Sequence, residues 1–352
     1  MRKVKKAFLK MSIEERLRLV ERIYVRRPKI DELLERIDYC REHSKIAKDP
    51  DCLLITGEPG TGKTSLLERY VKRFPRRVVE KKTEDGLKKS VCLVPVLYII
   101  CPTKATEKNL VEVMLTELGD PEASKGNLTT QTLRLVHYVK ECEMEEILVD
   151  EFQHLWDRDG NVIRKNVANY VKEIIIRTKK PMIVAGMPSS AGIMDDNQQL
   201  NRRFRRVSLD PLKWEPSQQK GSAKPVSEYK AFLSILDDAL PFKRSNLSDQ
   251  VIAYSFFKAS GGIVDKVMRL VRTATALAIK DGLEKLDREV LAESYEKELR
   301  DDYPEDENPF TSYPNASKKK ATKADSKKDS VSKRIKPKEP KKPTANSVLR
   351  RR

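Results

Sequence analysis

The sequence predicts an α/β fold in which a parallel sheet is sandwiched by helices, followed by a small all-α lid and a disordered basic C-terminal tail. Three observations lead to this prediction. Short apolar runs typical of buried strands alternate with segments of helical apolar spacing through the first two thirds of the chain. Every apolar segment after residue 228 has helical spacing, and the last forty residues hold few apolar side chains.

These patterns divide the chain into four predicted parts. Residues 1–50 form a helical lead, residues 51–212 an α/β domain, residues 213–304 a helical lid, and residues 305–352 an Asn-Pro-Phe segment with a lysine-rich tail. The tail cannot bury enough apolar surface to offset the entropy lost on ordering it. It is either a solubilising tail or a tether for DNA or an acidic protein surface.

The composition predicts a cytoplasmic protein without a membrane segment. Charged residues make up 35% of the 352 residues, and no apolar run approaches the length of a membrane-spanning helix. The five cysteines show no pairing pattern, as expected in a reducing compartment. Of the net charge of +18, +12 lies in residues 315–352, where 15 lysines and arginines face 3 acidic residues. The net charge therefore does not indicate that the folded part binds nucleic acid, and such binding has to be inferred from particular basic residues.

A glycine-rich loop separates the first apolar run from a helical segment. It reads Gly57, Glu58, Pro59, Gly60, Thr61, Gly62, Lys63, Thr64, and Ser65 continues the helix. Strand, glycine loop and helix in this order form the context in which this motif binds nucleotide phosphates, because backbone N–H groups and the helix N-terminus face the anion. The motif predicts ATP and Mg²⁺ as cofactors, with Lys63 on the β- and γ-phosphates and Thr64 on the metal ion.

Two acids end a later apolar run, about 90 residues after the loop. Asp150 and Glu151 follow four residues that are typical of a buried strand. In this position Asp150 would orient Mg²⁺ through its water shell, and Glu151 would polarise the attacking water. The alternative is a pair of surface acids at a strand end.

Segments on either side of these motifs offer further candidates. Residues 12–23 open with Ser12 three positions before a glutamate, which predicts a capped helix. A second helix resumes after Pro28, and between the two helices Tyr24 and Val25 are predicted to line the nucleotide pocket. The alternative is that this lead only packs against the domain.

Four arginines in five positions precede the last predicted strand of the α/β domain. Arg203, with Arg202 as second choice, is predicted to act as a finger on the γ-phosphate of a neighbouring subunit, since guanidinium is always charged and forms forked hydrogen bonds. The alternative is a solvated basic turn.

Upstream, residues 76–89 are predicted to be an exposed connection. Pro95 is predicted to split the strand region 91–100, and Thr106 to cap a helix.

Taken together, the order of these motifs resembles the TniB/TnsC group of AAA+ regulators of transposition. The likeness covers roughly residues 12–311 and includes the glycine-rich loop, the Asp150-Glu151 motif with its Phe-Gln-His-Leu continuation, and the segment around Arg203. The resemblance implies an ATPase that assembles with ATP as a ring or helical filament on double-stranded DNA. It implies a DDE transposase and a TniQ-type or CRISPR-associated target selector as partners in a bacterial cytoplasm, with the protein associated with the nucleoid when bound to DNA.

The resemblance also implies specific DNA contacts, and it shows that the usual residues are missing at two sensor positions. It places DNA-contacting residues at Lys104, Thr106, Lys108 and, less directly, Thr129 or Thr130. Met187 stands where AAA+ ATPases often carry a polar side chain that senses the γ-phosphate. At the second sensor position only Lys266 or Arg269 could substitute for arginine.

Two other functions remain open at this point. One is another AAA+ machine, such as a replication initiator or clamp-loader-like helper. The other is a nucleotide-binding scaffold with little hydrolysis, which the missing sensor residues favour.

Overall fold

The apolar runs of the sequence form a five-stranded parallel sheet in the computed structural model. The structure describes residues 11–82, 85–103, 105–155, 161–195, 197–214, 216–217, 226–242 and 244–311. The strands of this sheet are β1 (Cys52–Thr56), β4 (Val96–Ile100), β5 (Glu146–Asp150), β6 (Met182–Gly186) and β7 (Phe204–Ser208). The split that Pro95 predicts before β4 is confirmed.

The strand order places the functional loops at one edge of the sheet. The order is β4-β5-β6-β1-β7, and every neighbouring pair is parallel. All five strands therefore end at the same carboxyl edge. Ile100 is paired with Asp150 there, and Thr56 with Gly186. Loops that follow the carboxyl ends of parallel strands are the usual location of binding sites.

Helices cover both faces of the sheet. The first helix, α1 (Ile13–Glu21), packs on the all-α part that follows the sheet. The helices on the sheet are α2 (Pro28–His43), α3 (Lys63–Val71), α4 (Glu107–Leu118), α5 (Leu128–Glu141), α6 (Asn161–Thr178), α7 (Ala191–Asp195) and α8 (Gln198–Asn201). Successive residues of β1 point to opposite faces. Leu54 packs in the core with α4, α5 and α6, whereas Leu53 packs in the core with α2 and α3.

Four helices after the sheet form the predicted all-α part. They are α9 (Glu228–Ala239), α10 (Gln250–Ser260), α11 (Val264–Lys280) and α12 (Arg288–Glu298). Val20 and Val25 of the lead join their hydrophobic core. Near the end of the described chain, Phe310 is 2% exposed, and its ring centroid lies 5.1 Å from that of Phe256. None of the described helices is long and apolar enough to cross a membrane.

Two caps predicted from sequence are confirmed. Ser12 accepts a hydrogen bond from the Glu15 backbone, and Glu15 accepts one from the Ser12 backbone, which completes a capping box at α1. Thr106 caps α4 by accepting from the backbone N–H of Asn109 at 3.1 Å.

The prediction of an exposed connection over residues 76–89 is wrong in part. The segment is exposed, but it forms the antiparallel hairpin β2 (Arg77–Lys82) and β3 (Lys88–Leu93). The segment is rich in charged side chains, so it lacks the run of apolar residues that indicates a buried strand. Many of these side chains form ion pairs, such as Arg76 with Glu117 at 3.1 Å. The available signal was Asp85-Gly86, a dipeptide typical of tight hairpins, where Gly86 has a φ of 78°.

Candidate nucleotide-binding and catalytic site

The P-loop (residues 57–64) joins the carboxyl end of β1 to α3. Gly60 and Gly62 have φ values of 78° and 102°, a region that residues with a Cβ rarely adopt. A Cβ at Gly60 would also lie 2.9 Å from side-chain atoms of Ile263 and Asp265. Gly62 is the N-cap of α3, and the first N–H groups of a helix have no partner within it. The loop thus offers an anion site at a helix N-terminus.

Lys63 lies within the P-loop. Its Nζ donates hydrogen bonds to the carbonyl oxygens of Gly57 at 2.7 Å and Glu58 at 3.0 Å. Burial lowers the pKa of Lys63, and the nearby carboxylates of Asp150 and Glu151 partly offset this shift. The ammonium group thus lies within the electrostatic influence of both acids. Its contact with the β- and γ-phosphates stays a prediction.

The two predicted acids leave β5 in different directions. Asp150 is 1% exposed, and its Oδ2 accepts a hydrogen bond from the Tyr98 hydroxyl at 3.3 Å. Its Oδ1 accepts from the backbone N–H of Glu151 at 2.9 Å. Glu151 has a φ of 54°, which is sparsely populated outside glycine and turns its side chain away from the strand line. Glu151 lines the cavity beside the P-loop.

That cavity has a volume of about 350 Å³, within the range of small-molecule sites. Three parts of the chain enclose it: the lead with Tyr24 and Val25, the P-loop with the start of α3, and the lid. The predicted residues Pro59, Gly60, Thr61, Gly62, Lys63, Thr64 and Ser65 all line it.

Arg27 is a cavity residue that the sequence analysis missed. It is 5% exposed, and its Nη2 donates to the carbonyl oxygen of Thr61 at 3.0 Å. Burial lowers the pKa of this guanidinium group. Arg27 therefore fixes the P-loop from the lead. The one sequence signal was its position directly before Pro28, which begins α2.

The lid contacts the P-loop through the start of α11. The backbone N–H of Asp265 donates to the Gly60 carbonyl oxygen at 3.0 Å. About 10 Å further along the helix, Arg272 lines the same cavity and pairs with Glu21 of α1 at 3.0 Å. Sequence reasoning missed Arg272 because it lies two turns beyond the expected sensor position.

The two lid residues considered as sensors pair elsewhere. Lys266 binds the Tyr303 hydroxyl at 2.8 Å and Asp302 at 3.3 Å. Arg269 pairs with Glu298 at 3.4 Å. Neither side chain lines the cavity, whereas Met187 at the end of β6 does.

Gln153 is a further cavity residue that was missed. Its amide nitrogen donates to the Glu151 carboxylate, and its amide oxygen accepts from the backbone N–H of Met187 at 3.1 Å. It lies two residues after Glu151 in a short 3-10 helix, Phe152–Leu155. It is also part of the Phe-Gln-His-Leu continuation noted in the sequence.

The predicted finger residues lie at the opposite edge of the sheet. They directly precede Phe204, the first residue of β7, which is paired with Cys52 at the start of β1. The P-loop follows the other end of β1, roughly 13 Å away along the strand. Arg203 pairs with Asp49 at 3.3 Å, and its side chain is 21% exposed. Arg202 is exposed and forms no ion pair with the described residues.

The DNA contacts stay predictions, and the structure places two of the predicted residues, Thr106 and Lys108, after the carboxyl end of β4. After β4, the Cys101 N–H donates to the Asp150 carbonyl oxygen at 2.8 Å, so this loop begins beside the predicted metal site. Thr106 caps α4, and Lys108 in its first turn is exposed. Lys104 lies outside the described residues. Thr130 is exposed, and its hydroxyl donates to Asn127 at 3.0 Å.

The residues present fit ATP with Mg²⁺. A hydroxyl and a buried carboxylate, from Thr64 and Asp150, supply the hard oxygen ligands that Mg²⁺ prefers. The glycine turns of the P-loop leave space for phosphate oxygens against backbone N–H groups. When bound, the metal ion would neutralise charge on the β- and γ-phosphates.

Comparison with known proteins gives a family match over more than half of the chain. The family model described as "Bacterial TniB protein" matches residues 16–215, which include most of the lead, the P-loop, both acids and both finger candidates. No curated protein matches the chain.

Several solved structures share the fold. The ORC1 protein of Aeropyrum pernix, solved in complex with DNA, superposes with a TM-score of 0.54 at 16% identity, over 81% of this chain and 70% of that one. The ORC2 protein of the same organism, solved as ADPNP–ADP complexes, gives 0.55 at 17% identity, over 80% and 71%. Cdc6p of Pyrobaculum aerophilum gives 0.53 at 13%, over 80% and 70%. The fold is that of the AAA+ ATPases of the ORC/Cdc6 type.

Proposed function

Because the chain belongs to the TniB family, we propose that it is an ATP-dependent, DNA-binding AAA+ regulator of transposition. It assembles on double-stranded DNA with little sequence preference and couples target-site selection to recruitment of a DDE transposase. A TniQ-type or CRISPR-associated complex would supply the target signal. ATP hydrolysis resets the assembly.

The observation that carries this proposal is the separation of two halves of a catalytic site. The P-loop and Glu151 lie at the carboxyl edge of the sheet, whereas Arg202 and Arg203 lie at the amino edge. An arginine side chain cannot span that distance within one subunit. The arrangement therefore favours a head-to-tail assembly in which the finger of one copy enters the cavity of the next.

The mechanism follows from the residues of the cavity. Backbone N–H groups of the P-loop and Lys63 hold the β- and γ-phosphates. Glu151 accepts a proton from the attacking water, and the neighbour's guanidinium stabilises the charge that develops on the γ-phosphate. Arg27 keeps the loop in position through the Thr61 carbonyl.

Local features of the carboxyl edge support DNA binding. Lys108 is exposed and forms no ion pair with the described residues, and the loop that precedes α4 begins beside Asp150. One such lysine per subunit, repeated along a duplex, sums weak phosphate contacts into avidity. The ORC1 protein that shares this fold was itself solved with DNA.

Electron microscopy with a non-hydrolysable ATP analogue and random-sequence duplex tests the proposal. We expect assemblies whose length follows the length of the DNA. Closed rings, or a preference for one sequence, would instead indicate an initiator or clamp-loader-like helper. Absence of any DNA-dependent assembly would overturn the proposal.

One observation favours a second candidate, a nucleotide-binding scaffold with little hydrolysis. Met187 occupies the end of β6, where its thioether cannot donate a hydrogen bond to a phosphate. Phosphate release from the wild type and from Glu151→Gln separates the two functions. A scaffold binds ATP in both proteins and shows no turnover in either.

A further inference from the structure

Gln153 connects the predicted general base to the neighbouring strand. The residue is 6% exposed. Its amide nitrogen donates to Oε2 of Glu151, and its amide oxygen accepts from the Met187 backbone N–H at 3.1 Å. Both ends of one side chain are thus engaged, one at the end of β5 and the other at the end of β6.

The orientation of this amide is fixed by its neighbours. A backbone N–H can only donate and a carboxylate can only accept, so the oxygen of Gln153 faces Met187 and the nitrogen faces Glu151. Gly186 makes room for this arrangement, since a Cβ there would lie 2.9 Å from the Gln153 amide oxygen. The left-handed backbone of Glu151, with its φ of 54°, directs the carboxylate toward the same amide.

We infer that Gln153 is a positioning residue that holds the Glu151 carboxylate for the attacking water. The inference rests on the proposed ATPase function. With Oε2 engaged by the amide, the carboxylate has a fixed plane and keeps Oε1 for water. Gln153 also presents, from the end of β5, a polar amide in the cavity next to Met187, whose side chain offers no donor.

Loss of the hydrogen bond from Gln153 to Glu151 should lower turnover more than it weakens ATP binding. A hydrogen bond to a charged group is stronger than one between neutral groups. If its loss falls on the transition state, the rate drops by about tenfold or more. The contacts that fix the P-loop, from Arg27 and Asp265, do not involve Gln153. We therefore expect kcat to fall while KM changes little.

Two variants of similar shape separate the two hydrogen bonds of Gln153. Gln153→Glu keeps an acceptor for the Met187 N–H but replaces the amide donor to Glu151 with a carboxyl group, which repels Glu151 when ionised. Gln153→Met removes both. We expect kcat at least about tenfold lower in each variant, with KM within about twofold of wild type. Thermal stability should fall in the methionine variant, which leaves the partly buried Met187 N–H without its acceptor.

Gln250→Ala is the matched control, because that glutamine is exposed on the lid and binds Lys230 at 2.9 Å. Its kcat should equal that of the wild type. A Gln153→Glu enzyme with wild-type kcat, beside an inactive Glu151→Gln, would overturn the inference and leave the ATPase proposal standing. If wild type and Glu151→Gln both lack turnover, the ATPase proposal itself fails and the inference fails with it.

Discussion

At the scale of single residues, the two finger candidates differ in their surroundings. Arg203 was the first choice from sequence, but its guanidinium pairs with Asp49, and Lys179 lies 3.5 Å from the same carboxylate. Arg202 is exposed one residue earlier. The sequence could place the pair before β7, but it could not show which of the two was held by its own subunit.

We therefore expect Arg202→Ala to lower kcat by about 100-fold or more, since fingers of this kind supply at least that much. Phosphate release by assembled protein measures the effect. Arg203→Ala is the matched control and should lose less. Mixing Arg202→Ala subunits with Lys63→Ala subunits should restore part of the activity, because some sites then combine an intact P-loop with an intact finger. No restoration would count against action between subunits.

Glu146 provides a pH-dependent prediction. It begins β5, is fully buried, and burial raises its pKa from 4.5 to about 8. The folded state thus favours the protonated form, so its contribution to stability is full below pH 4.5 and is lost progressively as the pH rises to about 8. Glu146→Gln should remove this decline.

Urea unfolding at pH 5.5 and pH 8 measures that difference. Glu145→Gln, at the adjacent residue that pairs with Arg41, shows what loss of a partly exposed carboxylate does by itself. An unchanged pH dependence in Glu146→Gln would mean that this carboxyl group does not titrate with unfolding.

At the scale of elements, the regular core was predictable and the charged hairpin was not. The buried strand β6 is a continuous apolar run, the centre of β5 is apolar, and caps such as Ser12 and Thr106 have a local signature. The hairpin of β2 and β3 depends on ion pairs with distant carboxylates, for example Lys89 with Glu141, which no local pattern shows. Arg27 and Gln153 were missed because they bind partners that are distant in sequence, and Arg272 was missed because it lies two turns beyond the expected sensor position.

Helix α11 gives a prediction about nucleotide recognition. The first turn of the helix contacts Gly60 of the P-loop. Arg272 lies two turns further along the helix and therefore lines the part of the cavity away from the P-loop. Arg272→Ala should weaken ATP and ADP binding equally, by about tenfold, or ~1.4 kcal/mol. Fluorescence titration with labelled nucleotides measures both affinities. Arg269→Ala, whose side chain pairs with Glu298, is the control and should bind normally. A loss confined to ATP would indicate a γ-phosphate sensor instead.

At the scale of the whole molecule, the basic tail can be tested separately from the ATPase. Residues 315–352 carry +12 of the net charge of +18. Removal of this segment should leave ATP hydrolysis unchanged and make DNA affinity less dependent on salt, because fewer counterions are released. Binding measured at several salt concentrations gives the slope. An identical slope in the shortened protein would assign the tail to solubility or to a protein partner.

The nucleotide site and the finger arginines lie at opposite edges of one sheet, and this has a consequence for how an assembly of copies grows. In a head-to-tail chain of copies, one terminal subunit presents an incomplete nucleotide site and the other presents unused arginines. The two ends are chemically different, so addition and loss of subunits have a direction. A partner that recognises only one end could therefore set where an assembly starts, which face it shows, and on which side of a DNA site it stops.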